Sequence, residues 1–384
     1  MNSRERILAA INHREADRIP FDLCATFTSG IHVSAYHQLR KALNLPLSEK
    51  EYEFLCIDEQ IVLVDELFKN KLNIDTEAVL PANPSTWVLN IEDRDDSHFF
   101  VNEWKMGLKK PKDGGLYYDV VEHPLVSAGI DDLKRFHWPD PKDPARFVSL
   151  EEDVQKAAQT RRAVIMNNFC AGIIEISAWL IGYERLYSGL LLEQDFIEAL
   201  FDRILELKMA YWETVLQKVG ERIDVVVESD DLGEQRQLLM SPRIYRKLIK
   251  PRHKQLYDLI HAHTSARLFL HSCGAIYDLI PDLIEIGVEI LNPVQINAPN
   301  MDSAKLKAEF GKDLVFWGGA VNPQATLNHG TPQEVRDETR RNIDNFAPGG
   351  GFVFAAVHNI QPSIPTENIL AMWETLQSYG VYSI

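Results

Sequence analysis

His271 and Cys273 stand one residue apart at the end of an apolar run, Leu268-Phe269-Leu270-His271-Ser272-Cys273-Gly274. Side chains at i and i+2 on a strand leave the same face, so this imidazole and thiolate can reach one ion. Nitrogen with sulfur favours zinc over magnesium or calcium. The same pair also describes a packed histidine beside a buried, inert thiol. A second apolar run, Gly351-Phe352-Val353-Phe354-Ala355-Ala356-Val357-His358, ends on another imidazole. His271, Cys273 and His358 are therefore the candidate metal ligands. Val357 competes with His358 for the inward position, because neighbouring residues of a strand point oppositely. The downstream Pro362-Ser363-Ile364-Pro365 implies a fixed loop, in which His358 would only hold backbone carbonyls.

Other apolar runs also end in polar residues. One ends in Asn167-Asn168 and another in Glu228-Ser229-Asp230-Asp231-Leu232-Gly233. A third ends in Asn292, with Gln295 and Asn297 beyond it, and a fourth in Gly318-Gly319. Glu228, Asp230 and Asp231 are candidate catalytic acids. Crowded carboxylates repel unless one is protonated or bound to a cation, and the alternative is that one caps a loop by accepting backbone N–H bonds. Asn167, Asn168, Asn292, Gln295, Gly318 and Gly319 are candidate substrate-binding positions. The two glycines allow either close approach of a ligand or a tight turn.

The elements that must carry these residues are short apolar segments separated by longer helical patterns. Eight such segments fall at Ile19–Leu23, Thr76–Leu80, Ala163–Asn167, Ile223–Glu228, Arg267–His271, Val288–Asn292, Leu314–Trp317 and Gly351–Ala355. The last six are too continuously apolar for a half-exposed sheet and suit parallel strands covered on both faces. Ser241-Pro242 opens a helix running to about His263, and Thr331-Pro332, with Glu334 at the capping-box position, opens another. Thr366-Glu367-Asn368 starts the last. The expected fold class is α/β, a (β/α)8 TIM barrel forming one domain over residues 1–384, with a doubly wound sheet as the alternative. Residues 85–121 break the alternation with strand and turn chemistry, and predict an antiparallel insertion between strands two and three. In such barrels the chemistry lies at the C-terminal strand ends, where all the candidates fall.

Composition sets the outer bounds. The net charge is −16, with 40 basic against 56 acidic residues, which argues against a nucleic-acid partner. The four cysteines have no framework spacing. The opening Met1-Asn2-Ser3-Arg4-Glu5-Arg6 is polar, and no apolar run approaches the roughly 20 residues that span a bilayer. The expectation is a cytoplasmic protein in a reducing compartment, with no membrane partner.

Taken in order, these motifs resemble the uroporphyrinogen decarboxylase superfamily over nearly the whole chain. The resemblance rests on Arg4-Glu5-Arg6-Ile7-Leu8-Ala9-Ala10-Ile11-Asn12-His13 with Asp17-Arg18-Ile19-Pro20, then Asp230-Asp231-Leu232-Gly233 with Met240-Ser241-Pro242. It continues through His271-Ser272-Cys273-Gly274 and Trp317-Gly318-Gly319 to Gly330-Thr331-Pro332-Gln333-Glu334-Val335 and Pro365-Thr366-Glu367-Asn368-Ile369. It implies a (β/α)8 barrel and one of two chemistries. True decarboxylases resemble one another in an Arg-Gln-Ala-Gly-Arg loop that receives propionates, whereas Phe21–Gly30 here has no arginine. A polyanionic substrate would lose its bidentate partners.

The other branch, corrinoid-dependent methyltransferases, is similar in its zinc-binding His-x-Cys pair, matched by His271 and Cys273. It carries a later cysteine where this chain has Ala356-Val357-His358, so His358 is the nearest candidate. A His/Cys/His set has one less thiolate and leaves an ion more electrophilic, or else marks a lost metal. The resemblance implies a zinc-dependent methyltransferase moving methyl groups between a small-molecule donor or acceptor and the corrinoid (cobalamin) of a partner protein. A homodimer is left open. The rival readings are a metal-independent decarboxylase of a small carboxylate or tetrapyrrole-like substrate, using Asp230 or Asp231, and a non-catalytic binding subunit.

Overall fold

The computed structural model describes residues 1–47 and 52–382. A short antiparallel pair, β1 (Phe54–Cys56) and β2 (Ile61–Val62), precedes the first long parallel strand, β3 (Thr76–Val79). Four strands follow, β4 (Glu92–Asp93), β5 (Ser97–Val101), β6 (Gly107–Pro111) and β7 (Asp119–Glu122), and form a separate antiparallel sheet. Then come β8 (Ala163–Met166), β9 (Val225–Ser229), β10 (Arg267–His271), β11 (Ile290–Asn292), β12 (Val315–Trp317) and β13 (Phe352–Val353). Strands β3 and β8 to β13 make one seven-stranded sheet in sequence order, every pair parallel. Helices cross between them, and the sheet curls as a TIM-barrel-like α/β fold.

The segment expected as the first strand, Ile19–Leu23, is instead a single parallel bridge, Phe21 to Phe354. Pro20 has no N–H to give a ladder. Even so, the segment joins the two sheet edges. Phe354 N–H donates to the Pro20 carbonyl at 2.9 Å and Asp22 N–H to the Phe354 carbonyl at 2.9 Å. On the other side Asp75 N–H donates to the Phe21 carbonyl at 2.8 Å. The antiparallel sheet β4 to β7 stands between the strands expected as two and three. It docks on the β1–β2 turn, with Tyr118 N–H donating to the Asp58 carbonyl at 2.8 Å and Lys110 Nζ to Gln60 Oε1 at 2.8 Å.

Strand periodicity sorts the core into two layers. Ala163, Ile165, Val225, Val227, Phe269, Ile290, Val315, Trp317, Val353 and Ala355 pack together inside the barrel, with Ile7, Ala10 and Ile11 of helix Ser3–Ile11 among them. Val164, Met166, Val226, Leu268, Leu270, Leu291 and Phe316 face the surrounding helices. Continuing the inner series toward the C-terminal ends reaches Asn167, Ser229, His271 and Asn292. The interior therefore passes from apolar to polar at the mouth. The helix expected from Ser241 to His263 is interrupted by a π-helical turn, Tyr245–Ile249, just before Pro251, whose missing N–H breaks the regular ladder. No helix among the described residues is long and apolar enough to cross a membrane.

Candidate metal centre

His271 ends β10, Cys273 lies in the loop beyond it, and His358 follows β13 around the ring. One ligand atom from each lies within 4.8 Å of the others. His271 Nε2 is 3.3 Å from Cys273 Sγ, and the two imidazole rings meet edge to face at 5.4 Å. Bonds of about 2.0–2.3 Å in a tetrahedron put ligand atoms about 3.3–3.8 Å apart, so the group needs little movement to hold zinc. His358 rather than Val357 supplies the third atom, and Val357 is buried among apolar neighbours.

The donor chemistry also suits a metal. His271 Nδ1 lies 2.6 Å from Asn292 Oδ1, an acceptor, so the ring proton sits on Nδ1 and the Nε2 lone pair faces Cys273. The Asn292 amide is held in turn by its Nδ2 donating to the Trp317 carbonyl at 2.8 Å, and Thr28 Oγ1 reaches its Oδ1 at 3.3 Å. Burial lowers the pKa of both His271 and His358 to about 4, which keeps both imidazoles neutral at pH 7. Burial pushes the Cys273 thiol well above its usual range, reinforced by the carboxyls of Asp231, Glu175 and Glu59. A bound cation reverses that balance and favours the thiolate.

The three candidate acids have separate fates. Glu228 falls on the outer face of β9, where Trp212 Nε1 donates to it at 2.5 Å and Lys208 Nζ pairs with it at 2.9 Å. The structure does not bring it to the ligand trio. Asp230 accepts from Ile174 N–H at 3.0 Å and Glu175 N–H at 3.3 Å, at the start of helix Ile173–Ile181, and meets His253 Nε2 at 2.9 Å. Asp231 alone adjoins the trio, accepting from Cys273 N–H at 2.8 Å with the same oxygen 3.8 Å from His271 Nε2. Burial raises its pKa.

The amides divide in the same way. Gln295 ties loops together, accepting from Gly274 N–H at 2.8 Å and donating to Gln235 at 2.8 Å. A Cβ on Gly318 would lie 2.2 Å from the Pro293 carbonyl oxygen, and one on Gly319 3.0 Å from the Phe346 ring, so both glycines face packed protein. Asn167 donates to the Ala25 carbonyl at 3.0 Å and leaves its Oδ1 unpartnered, while neither amide atom of Asn168 has a partner. Of the candidate binding positions, these two carry buried amide atoms without a partner.

Sequence reasoning missed three groups. Glu59, in the β1–β2 turn, accepts from Asn359 Nδ2 at 2.6 Å, beside His358, and burial raises it to about 7. Glu175 is pushed well up by burial and by Asp231 and Asp230. Its only sequence signal is its place three residues after Gly172, whose N–H donates to the Glu175 carboxyl at 3.2 Å. Ser229 is opposite His271 in the β9–β10 register and leaves a buried Oγ unpartnered.

Comparison with known proteins agrees with this architecture. Residues 104–379 match the family described as Uroporphyrinogen decarboxylase (URO-D). A uroporphyrinogen decarboxylase of Pseudoalteromonas translucida is 23% identical over 268 residues, covering 66% of this chain and 71% of its own. Among solved structures, a methyltransferase from Methanosarcina mazei superposes with a TM-score of 0.63 at 18% identity, covering 99% of both chains, a likeness of fold.

Proposed function

The chain belongs to the uroporphyrinogen decarboxylase family, and from that premise we propose that it is a zinc-dependent methyltransferase working with the corrinoid of a partner protein. The observation that carries this reading is the convergence of His271 Nε2, Cys273 Sγ and His358 at the barrel mouth. The whole-length likeness to a methyltransferase supports it. Zinc held there supplies a Lewis acid with a coordination position left for substrate.

The chain's own residues do the rest. Asn292 keeps the His271 proton on Nδ1, and Asp231 fixes the Cys273 backbone through its N–H. Asn167 Oδ1 and the Asn168 amide are available to orient a small substrate. Alignment in a pre-shaped mouth removes the entropic part of the barrier. Phe21–Gly30 reaches the same mouth, through Thr28 on Asn292 and Gly30 N–H on Asn359 Oδ1 at 2.6 Å, and carries no arginine for propionates.

Purified protein is expected to contain about one zinc per chain by elemental mass spectrometry, and His271→Ala close to none. Methyl transfer from candidate donors to free cob(I)alamin should be lost on chelation and return with zinc. Equal zinc in wild type and His271→Ala would remove the metal from this reading. The likeness to a curated uroporphyrinogen decarboxylase favours a second reading, metal-independent decarboxylation of a small carboxylate. A chelator would leave that activity untouched.

A further inference from the structure

The paired residues of β10 stop at His271, and the chain turns at Gly274, where φ is +87°. Cys273 lies between, beyond the reach of the ladder. The loop after β9 grips each of residues 271–273 instead. Asp230 N–H donates to the His271 carbonyl at 2.9 Å, Leu232 N–H to Ser272 Oγ at 3.1 Å, and Cys273 N–H to Asp231 Oδ1 at 2.8 Å. That grip is only as firm as its own anchor, the Asp230 side chain, which is 1% exposed. The carboxylate is wedged against the start of helix Ile173–Ile181. A Cβ on Gly172 would lie 2.2 Å from its Oδ1, and the N–H groups of Ile174 and Glu175 donate to it. A third donor comes from another element, His253 of helix Lys250–His263, whose Nε2 is 2.9 Å from Asp230 Oδ2.

We propose that His253 is a positioning residue which, acting through Asp230, sets the spacing of the candidate ligands His271 and Cys273. This rests on the metal reading and extends it to a residue outside the site. A carboxylate only accepts, so His253 Nε2 carries the proton and Nδ1 faces the Tyr245 hydroxyl, 3.4 Å away in the π-helical turn. Tyr257 stacks on the imidazole at 5.5 Å and 20°, which fixes the plane of the ring. His253 is 2% exposed, so bulk water does not compete for its bond to Asp230. With the loop after β9 held in this way, His271 Nε2 and Cys273 Sγ stand 3.3 Å apart, a spacing that suits two corners of a tetrahedron. A loop ordered before the metal arrives loses less freedom on binding, and affinity rises accordingly. Without the His253 donor, Asp230 is held by the helix N–H groups alone. The grip on residues 271–273 then loosens, although no metal-binding atom has been removed.

The test is binding of cobalt(II) to the full chain after treatment with a chelator. Affinity is read by competition with a chromophoric chelator, and geometry by visible absorption, which is strong for a tetrahedral ion and weak for an octahedral one. His253→Phe keeps a ring on Tyr257 and removes the donor. Its cobalt affinity should fall about tenfold, with weaker absorption. His253→Gln, whose amide can donate to Asp230, should restore both to within about twofold. Leu256→Ala opens a cavity in the same helix, and should unfold at lower denaturant while binding cobalt as the unmutated protein does. Asp230→Asn, of nearly equal volume, turns an amide N–H toward His253 Nε2–H and should weaken cobalt as His253→Phe does. It decides the question where His253→Phe fails to fold. Unchanged affinity in these variants, or equal losses in His253→Phe and Leu256→Ala, would overturn the proposal and leave the metal reading intact. An unmutated protein that takes up no cobalt would overturn the metal reading, and this proposal with it.

Discussion

The 2.6 Å contact between His271 Nδ1 and Asn292 Oδ1 decides which nitrogen of the imidazole is available. Because the amide oxygen accepts, Nδ1 keeps its proton and Nε2 presents a lone pair to Cys273. The partner sits on the neighbouring strand, paired residue for residue with His271, so β-sheet register sets the tautomer. A residue expected to bind substrate thereby acts on a candidate metal ligand.

Replacing that acceptor tests the relationship. Asn292→Ala should weaken zinc binding by about 10–100-fold, measured by competition with a chromophoric chelator. Asn292→Asp keeps an acceptor in place and should retain most of the affinity. Unchanged affinity in Asn292→Ala would mean that the tautomer is set elsewhere.

The two imidazoles and the thiol give zinc binding a defined dependence on pH. Both histidines are held down to about 4, so they compete with zinc for protons only in acid. The Cys273 thiol is raised, so zinc must displace its proton across the neutral range. Affinity should therefore climb about tenfold per pH unit between about pH 5 and pH 8. A flat profile would show that Cys273 binds no metal, or is already ionised without it.

Cys273→Ala and His358→Ala should each reduce zinc affinity more than the about 100-fold that loss of a ligand's hydrogen-bond partner costs. Val357→Ala, beside His358 but packed in the core, should keep full occupancy. Retention of zinc by His358→Ala with loss in Cys273→Ala would shift the third ligand to Asp231, the nearest carboxylate.

Asp230 and Asp231 are adjacent in sequence and opposite in role. Asp230→Ala leaves two helix N–H groups and His253 without their buried partner and should cost about 3 kcal/mol in denaturant unfolding. Asp231→Ala, at a half-exposed position, should cost about 1 kcal/mol or less. Equal losses would contradict this division.

Much of the barrel was legible because its strands are short apolar runs, and β10 matches its expected range of Arg267–His271. The first strand was not, because Pro20 leaves a bridge where the apolar pattern suggested a ladder. Glu228 shows a subtler limit. A parallel strand is apolar on both faces, so its sequence does not mark which face is inside. Parity became readable only with the Val225–Ser229 register, which turns Ser229 inward and Glu228 outward. His271, Cys273 and His358 were visible as strand-end residues. Glu59 lies in a turn between two very short strands, and its relation to His358 exists only after the chain ends meet.

That meeting of the chain ends also orders events in time. The carbonyls of Pro20 and Phe21 are synthesised early, yet Phe354 must arrive before the Pro20 carbonyl is paired. The stretch that delivers Phe354 delivers His358 four residues later. A growing chain on the ribosome therefore passes through a long period with an open sheet edge and an incomplete candidate ligand set, and both are completed by the same few residues. Any truncation upstream of them leaves an unclosed sheet that lacks the third candidate ligand.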